Sequence, residues 1–156
     1  MEGMAVLNQR NKQEPTEAEA RSKANAKVFA ELLTDYLKQR FKYKLAAVTF
    51  GLPTHLVGAR RKRYDLYFRV TPPKSTLWSS NTLVVARIAF HQERKGHGTD
   101  MMAFLVRVAE QVGYTHIGIE HANEKAAALG AKLGFTQFGE EKNFVASVEE
   151  VRKRLL

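Results

Sequence analysis

Residues Leu83 to Phe90 read Leu-Val-Val-Ala-Arg-Ile-Ala-Phe, and His91 to Gly98 continue as His-Gln-Glu-Arg-Lys-Gly-His-Gly. Thr99 to Glu110 follow as Thr-Asp-Met-Met-Ala-Phe-Leu-Val-Arg-Val-Ala-Glu. The first run is nearly continuous in apolar residues, as a central strand covered on both faces should be. Arg87 interrupts it and implies an edge or a charged partner. In the third run Met101, Met102, Leu105, Val108, Ala109 and Val112 make one helical stripe, so a helix is expected over about 98 to 112, stopped by Gly113. Gly96 and Gly98 therefore sit where a strand hands over to a helix. The first turn of a helix leaves backbone N–H groups without partners, and the dipole adds about half a positive charge there. Glycine allows the tight turn and lets an anion approach the backbone. Arg94 and Lys95 add full charges, so a phosphate or pyrophosphate suits residues 94 to 100. A plain strand-to-helix turn uses the same residues. No third glycine is spaced for a dinucleotide fold, and no Gly-Lys-Ser/Thr supplies a triphosphate loop.

Outward toward the C-terminus, Tyr114 to His121 forms a second apolar segment. Its alternation puts Ile117 and Ile119 on one face and His116 and Glu120 on the other. Asn123 is placed to cap a helix over 124 to 133, which closes in Lys132-Leu-Gly-Phe135. Phe135 to Phe138 and Asn143 to Ala146 are expected as strands around residues 139–142. Ser147 and Glu150 have capping-box spacing for a last helix to about residue 155.

Toward the N-terminus, Met4 to Asn8 suits a short strand or a disordered leader, so residues 1–14 are set apart from a single domain over 15–156. Pro15, Glu17 and Glu19 favour a helix start, and Val28, Phe29, Leu32, Leu33, Tyr36 and Leu37 recur at helical spacing over about 15 to 41. The early part of this helix is expected to stand free of the domain, which leaves room for a homodimer contact. Leu45 to Phe50 is expected as a strand closed by Gly51-Leu-Pro53, and Tyr64 to Val70 as another, broken by Thr71-Pro-Pro-Lys74. Trp78 is expected to cap the core, with a wall of a substrate cleft as the alternative.

The chain has 156 residues, room for one domain with a proper core, and no cysteine. That excludes disulfides, thiolate metal sites and a cysteine nucleophile, and no metal site is expected. No run approaches the roughly 20 apolar residues of a membrane helix and no apolar signal core opens the chain, so a cytoplasmic protein without a membrane partner is expected. The net charge is +9. Residues 43–80 hold seven basic side chains and one acidic. The excess centres on Arg60-Arg-Lys-Arg63, a patch that attracts nucleic acid, acidic protein or coenzyme phosphates.

Arg94-Lys-Gly-His-Gly98, an amphipathic helix, a strand, Asn123-x-x-Ala126 and then Lys132-Leu-Gly-Phe135 together resemble the GNAT acetyltransferase superfamily. That family has a glutamine or arginine, two residues, glycine, one residue and glycine or alanine at the end of its fourth strand, then an asparagine, a short helix and Gly-Phe. The resemblance covers about a third of the chain. It implies an α/β fold with a central mixed β-sheet and helices on both faces, binding acetyl coenzyme A (acetyl-CoA) where two strands splay. Carried over by position, backbone at Ile88, Ala89 and Phe90 would hold the pantetheine arm and acetyl group. Backbone at Arg94, Lys95, Gly96, His97, Gly98 and Thr99 would hold the pyrophosphate, with Asn123 near the arm.

Two residues depart from the pattern. The family's glutamine or arginine falls on Glu93, flanked by Gln92 and Arg94. Its frequent late tyrosine, which protonates the departing thiol, falls on Leu129-Gly130. Acetyl transfer to an amine with a pKa of about 10.4 benefits from a base. Glu120, at the strand end beside the expected cleft, is the first candidate; His91 and His121 are next. Each also reads as a solvated loop residue or a strand-end hydrogen bond. The reading is an N-acetyltransferase acting by direct attack on acetyl-CoA, its amine acceptor an acidic protein or a nucleic-acid-linked molecule. The alternative is a weak or inactive GNAT-like module that binds nucleic acid or an acidic protein.

Overall fold

The computed structural model describes residues 17–51, 56–70, 78–139 and 141–156; the Met4 to Asn8 segment, Pro15 and the Thr71 to Lys74 break lie outside them. Helix α1 spans Glu17–Phe41. Ala26, Phe29, Ala30, Leu33, Leu37 and Phe41 are buried at steps of three and four, so one stripe meets the core. Glu17 and Glu19 in the first turn and Lys38 and Arg40 in the last complement the dipole. Burial of Ser22 and Ala26 shows that the helix is docked almost from its start rather than standing free.

Strands β1 (Val48–Gly51), β2 (Leu56–Arg61), β3 (Tyr64–Arg69) and β4 (Thr82–Phe90) follow. Helix α2 (His97–Val112), β5 (His116–Ile119), α3 (Glu124–Lys132), β6 (Thr136–Gln137), β7 (Phe144–Ser147) and α4 (Val148–Leu155) complete the chain. The sheet runs β1-β2-β3-β4-β5-β7-β6. All neighbours are antiparallel except β4 and β5, which α2 connects. This is a mixed α/β architecture, as the sequence implies.

Two sequence expectations change here. Leu56 to Arg61 is a strand, so Arg60 and Arg61 end β2, and Lys62 and Arg63 turn the hairpin into β3. The first expected strand begins at Val48, not Leu45: Leu45 is 74% exposed and Ala47 takes a left-handed backbone, φ 55°.

Register puts Val57, Ala59, Leu66, Phe68, Leu83, Val85, Ile117 and Ile119 on one face, and all are buried. Helices α1 and α2 cover it. The Phe29 ring meets Phe68 edge-on at 5.0 Å, and Phe104 of α2 stacks on Tyr36 at 4.4 Å. Each fully buried large apolar side chain here contributes about 1.5–3 kcal/mol. On the opposite face Trp78 covers β5. A Cβ at Gly118 would lie 2.5 Å from the Trp78 ring, and Phe138 packs at 5.2 Å. Trp78 is thus buried on the face opposite the main core, and its Nε1–H donates to Glu120 at 3.3 Å.

Asn123 and Ser147 cap α3 and α4 as their positions suggest, accepting from the amides of Ala126 and Glu150. Among the described residues no helix is long and apolar enough to cross a membrane.

Gly118→Val drives a branched side chain into the Trp78 ring. Overpacking of this kind costs about 1–3 kcal/mol. Urea denaturation of the variant is expected to show a lower midpoint, with red-shifted emission from Trp78, the single tryptophan of the chain. An unchanged midpoint and spectrum would contradict this packing.

Candidate active site

The site begins where two paired strands stop being paired. β4 and β5 run in register from Thr82 opposite His116 to Val85 opposite Ile119, and the last bond runs from the Glu120 amide to the Val85 carbonyl at 2.9 Å. At that point the β3–β4 ladder is irregular: Tyr67 faces Arg87 and Phe68 faces Val85, so Ala86 is the extra residue. Such a bulge bends its strand and increases the local twist. Beyond β5, the His121 amide donates to Asn143 Oδ1 and the Ala122 amide to the Lys142 carbonyl. Both bonds draw the chain toward β7. One strand bends and the other is held back, so the two part.

Parting leaves backbone groups free. The His91 amide donates to the Arg63 carbonyl, and antiparallel pairing alternates. Ala89 therefore turns its amide toward β3, while Ile88 and Phe90 turn theirs away from β3, Ile88 on the wall of the opening. The first half of β4 is buried as a central strand should be, but Ala86 to Phe90 range from half-buried to exposed. That corrects the expectation of a strand covered along its whole length. The opening holds about 370 Å³ and is lined by Val85 to Ala89 on one side and Ile119 to Asn123 with Ala126 on the other.

Past the opening, the chain runs from the end of β4 into the glycine turn. Arg94 (φ 59°) and Gly96 (φ 75°) both take left-handed backbone and swing the chain into α2. Gly96 has no side chain to cap the helix, and the first helical bond is Asp100 N–H to the Gly96 carbonyl at 2.9 Å. The amides of His97, Gly98 and Thr99 therefore have no intrahelical partner. Arg94, Lys95 and Gly96 are exposed, and His97 to Thr99 are half-buried. Glu93 turns to Lys125 of α3 in an ion pair, away from those amides.

The candidate bases are placed unequally. Glu120 lines the opening with 16% of its side chain exposed. Both its oxygens accept from Arg69 Nε, at 3.2 and 3.1 Å, and one also accepts from Trp78. His121 lines the same wall, 63% exposed, with left-handed backbone at φ 47°. His91 does not line the opening; it sits at the β3 side of the β4 end. Asn123 lines it, although its side chain is used as the α3 cap.

Position 130 is tightly packed against the core. A Cβ there would lie 3.2 Å from Ile119 Cδ1 and 3.3 Å from Phe135 Cβ, so it faces the core. The Leu129 side chain instead covers Gly98, where an added Cβ would meet it at 3.0 Å.

Behind the glycine turn lies a network that the sequence did not disclose. Tyr36 of α1 donates to Asp100, which also pairs with Arg40 at 3.1 Å. Arg40 Nε donates to His97 Nδ1 at 3.1 Å, which leaves the ring proton on Nε2. The His97 ring packs between Phe41 and Phe90 at 4.9 and 5.3 Å. Burial pushes the Tyr36 phenol far above its ordinary range, and the Asp100 carboxylate adds to this. The network clamps the first turn of α2 to the end of α1. Among the described residues no cluster of side chains could hold a metal ion.

No protein-family model matches the chain, and no curated protein matches it. Several solved structures overlap it. An IAA acetyltransferase from Bacillus cereus does so at a TM-score of 0.42 and 14% identity, over 77% of this chain and 91% of that one. An N-acetyltransferase from Staphylococcus aureus overlaps at 0.42 and 13%, over 81% and 94%. AtaTR bound with AcCoA overlaps at 0.42 and 18%, over 81% and 84%. Overlaps of this size decide neither architecture nor chemistry. Strand order and the opening beside β4 define what the site can hold.

Burial, then the nearby Arg40 charge, holds the His97 imidazole below its ordinary pKa of 6.5. The unfolded chain thus takes up this proton before the folded one does. The His97 contribution to stability is complete above pH about 6.5 and declines as the pH falls through the lower folded value. His97→Asn keeps an acceptor for Arg40 but does not titrate. Its urea midpoint is expected to fall less between pH 7 and pH 5 than that of the parent chain; equal slopes would contradict this placement.

Proposed function

We propose that this chain is a GNAT-type N-acetyltransferase, moving an acetyl group from acetyl-CoA to an amine by direct attack. One observation carries the reading: an opening between parallel strands, edged by unpaired backbone, on the strand that continues into a glycine turn with three amides lacking intrahelical partners. A long chain with amide groups and an anionic end suits such a surface. The coenzyme would supply an activated thioester and a leaving thiolate.

The chain's own part is binding, orientation and charge. Backbone at Ile88 and Phe90 offers donors and acceptors to the pantetheine arm, and the Phe90 N–H, turned away from β3, is placed to polarise a carbonyl. Amides of His97, Gly98 and Thr99, with Arg94 and Lys95 beside them, suit the pyrophosphate. Glu120 is already engaged by Arg69 and Trp78, so it serves better to fix the wall of the opening than to take the acceptor's proton. His121, exposed on the same wall, is the group proposed to take it. A thiol with a pKa of about 8.5 leaves as thiolate without an acid, so the missing tyrosine forfeits about 100- to 10,000-fold in rate rather than all of it.

A second reading, a module that binds the coenzyme without turning it over, is favoured by the core-facing position 130 and the engaged Glu120. Thiol release from acetyl-CoA with a broad amine panel separates the two: sustained release supports transfer, and its absence with intact binding supports the module.

Isothermal calorimetry is expected to show acetyl-CoA binding with Kd between about 1 μM and 1 mM. Gly96→Val must hold a branched residue at positive φ, a strain of about 1–3 kcal/mol that displaces the turn and its amides, so affinity should fall about five- to 150-fold. Absence of binding at several-millimolar acetyl-CoA, several times the weakest expected Kd, would overturn the proposal.

A further inference from the structure

A second concave site lies on the other side of β4. Arg40, Phe41, Arg63, Gln92 and His97 line a cleft of about 80 Å³ that shares no lining residue with the β4–β5 opening. Three parts of the chain meet there. Arg63 turns the β2–β3 hairpin; its Nη1 donates to the Phe41 carbonyl at 3.1 Å, and its own carbonyl accepts from His91. Arg40 ends α1, and His97 opens α2. Each guanidinium has five N–H groups, so both keep donors beyond those they give to the protein. Arg40, Lys95 and Arg63 act on His97 as positive charges and Asp100 as the negative one, so the cleft keeps a positive excess.

The charge continues outward from this cleft. Arg60, 83% exposed, lies 4.0 Å from Asp65, which Arg87 also approaches at 3.3 Å. Arg61 and Lys62 are exposed on the same hairpin. The Tyr43 ring lies under the Arg61 guanidinium at 4.5 Å and under Arg63 at 5.8 Å, ordering both. Lys42 and Lys44 flank that ring and are exposed.

We propose that the Arg40–Arg63–Gln92–His97 cleft and the adjoining hairpin form a phosphate track that binds a nucleic acid strand. The cleft gathers donors from α1, the hairpin and the β4–α2 turn, which approach from different directions. A tetrahedral phosphate can satisfy them together; a planar carboxylate offers two coplanar oxygens. The cations beyond the cleft exceed what a single phosphate needs and suit the next phosphates of a polymer. The track meets the proposed pyrophosphate turn at His97, whose side chain faces the cleft while its amide belongs to the turn; Arg40, Phe41, Arg63 and Gln92 lie outside the β4–β5 opening.

Fluorescence anisotropy with a labelled single-stranded oligonucleotide of about 20 nucleotides tests it, without acetyl-CoA. Binding is expected at about 50 mM salt and should weaken linearly in log–log salt plots, with a slope of about −0.7 per phosphate held. Arg60→Ala/Lys62→Ala should lower affinity at least tenfold and make the slope shallower by about 1.4. Arg63→Gln tests the cleft itself and should also weaken binding; Lys153→Ala/Arg154→Ala on α4, an equal change of charge, should not. Melting curves establish that each variant is folded. Binding should persist at saturating acetyl-CoA. The proposal is overturned by absent binding, by equal losses in the hairpin and α4 pairs, by displacement with acetyl-CoA, or by poly-glutamate competing as well as the oligonucleotide at equal charge. Loss of coenzyme binding alone would leave the track intact, just as loss of oligonucleotide binding would leave the acetyltransferase reading intact.

Discussion

Everything distinctive in this molecule depends on a hydrogen-bonded ladder that ends early. The parallel pairing of β4 and β5 stops at Val85 and Ile119, although β4 continues for five more residues. A β-strand with an unsatisfied edge in the middle of a sheet is costly unless water or a ligand meets its polar groups. The fold accepts that cost because two separate devices enforce it. The extra residue at Ala86 bends one strand, and the buried Asn143 side chain holds the turn after the other. Neither device could open the pair alone, since a bend without an anchor would let β5 follow.

The side chains around the opening are mostly committed to holding it in shape. Glu120 ties Trp78 to Arg69, and Asn123 caps α3. Asp100, Tyr36 and Arg40 fix the start of α2. What remains available is backbone: Ile88, Phe90 and the amides of His97 to Thr99. A site built from backbone is indifferent to side-chain identity. It also lets the surrounding charges diverge, so that one edge of β4 faces a groove lined by both Arg87 and Glu120 and the other a strongly basic hairpin.

The parts of this architecture legible in the sequence are those set by local pattern. The α2 stripe, the glycine turn, the Asn123 and Ser147 caps and the apolar β4 and β5 runs all follow from residue spacing within a dozen positions. β2 was missed because Leu56 to Arg61 has no apolar–polar alternation, contains a glycine and ends in two arginines, so it reads as a basic loop. Its strand character comes from pairing with β1 and β3, which spacing does not encode. The engagement of Glu120 joins residues 51 and 42 positions apart, and the Tyr36–Asp100 contact joins residues 64 apart. Such contacts depend on the finished fold. Glu120 therefore read from sequence as a free base, whereas the structure shows a carboxylate already holding two donors. Glycine at 130 reads as a lost proton donor; in the structure the position faces Ile119 and Phe135 of the core rather than the opening.

The most direct measurement is amide hydrogen exchange along β4, read residue by residue by NMR. With the ladder ending at Val85, the amides of Leu83 and Val85 exchange slowly, while those of Ile88 and Phe90 exchange fast in the free protein and slow on addition of acetyl-CoA. Slow exchange at Ile88 and Phe90 before any ligand is added would mean that β4 and β5 are paired throughout, and would contradict the account at its root.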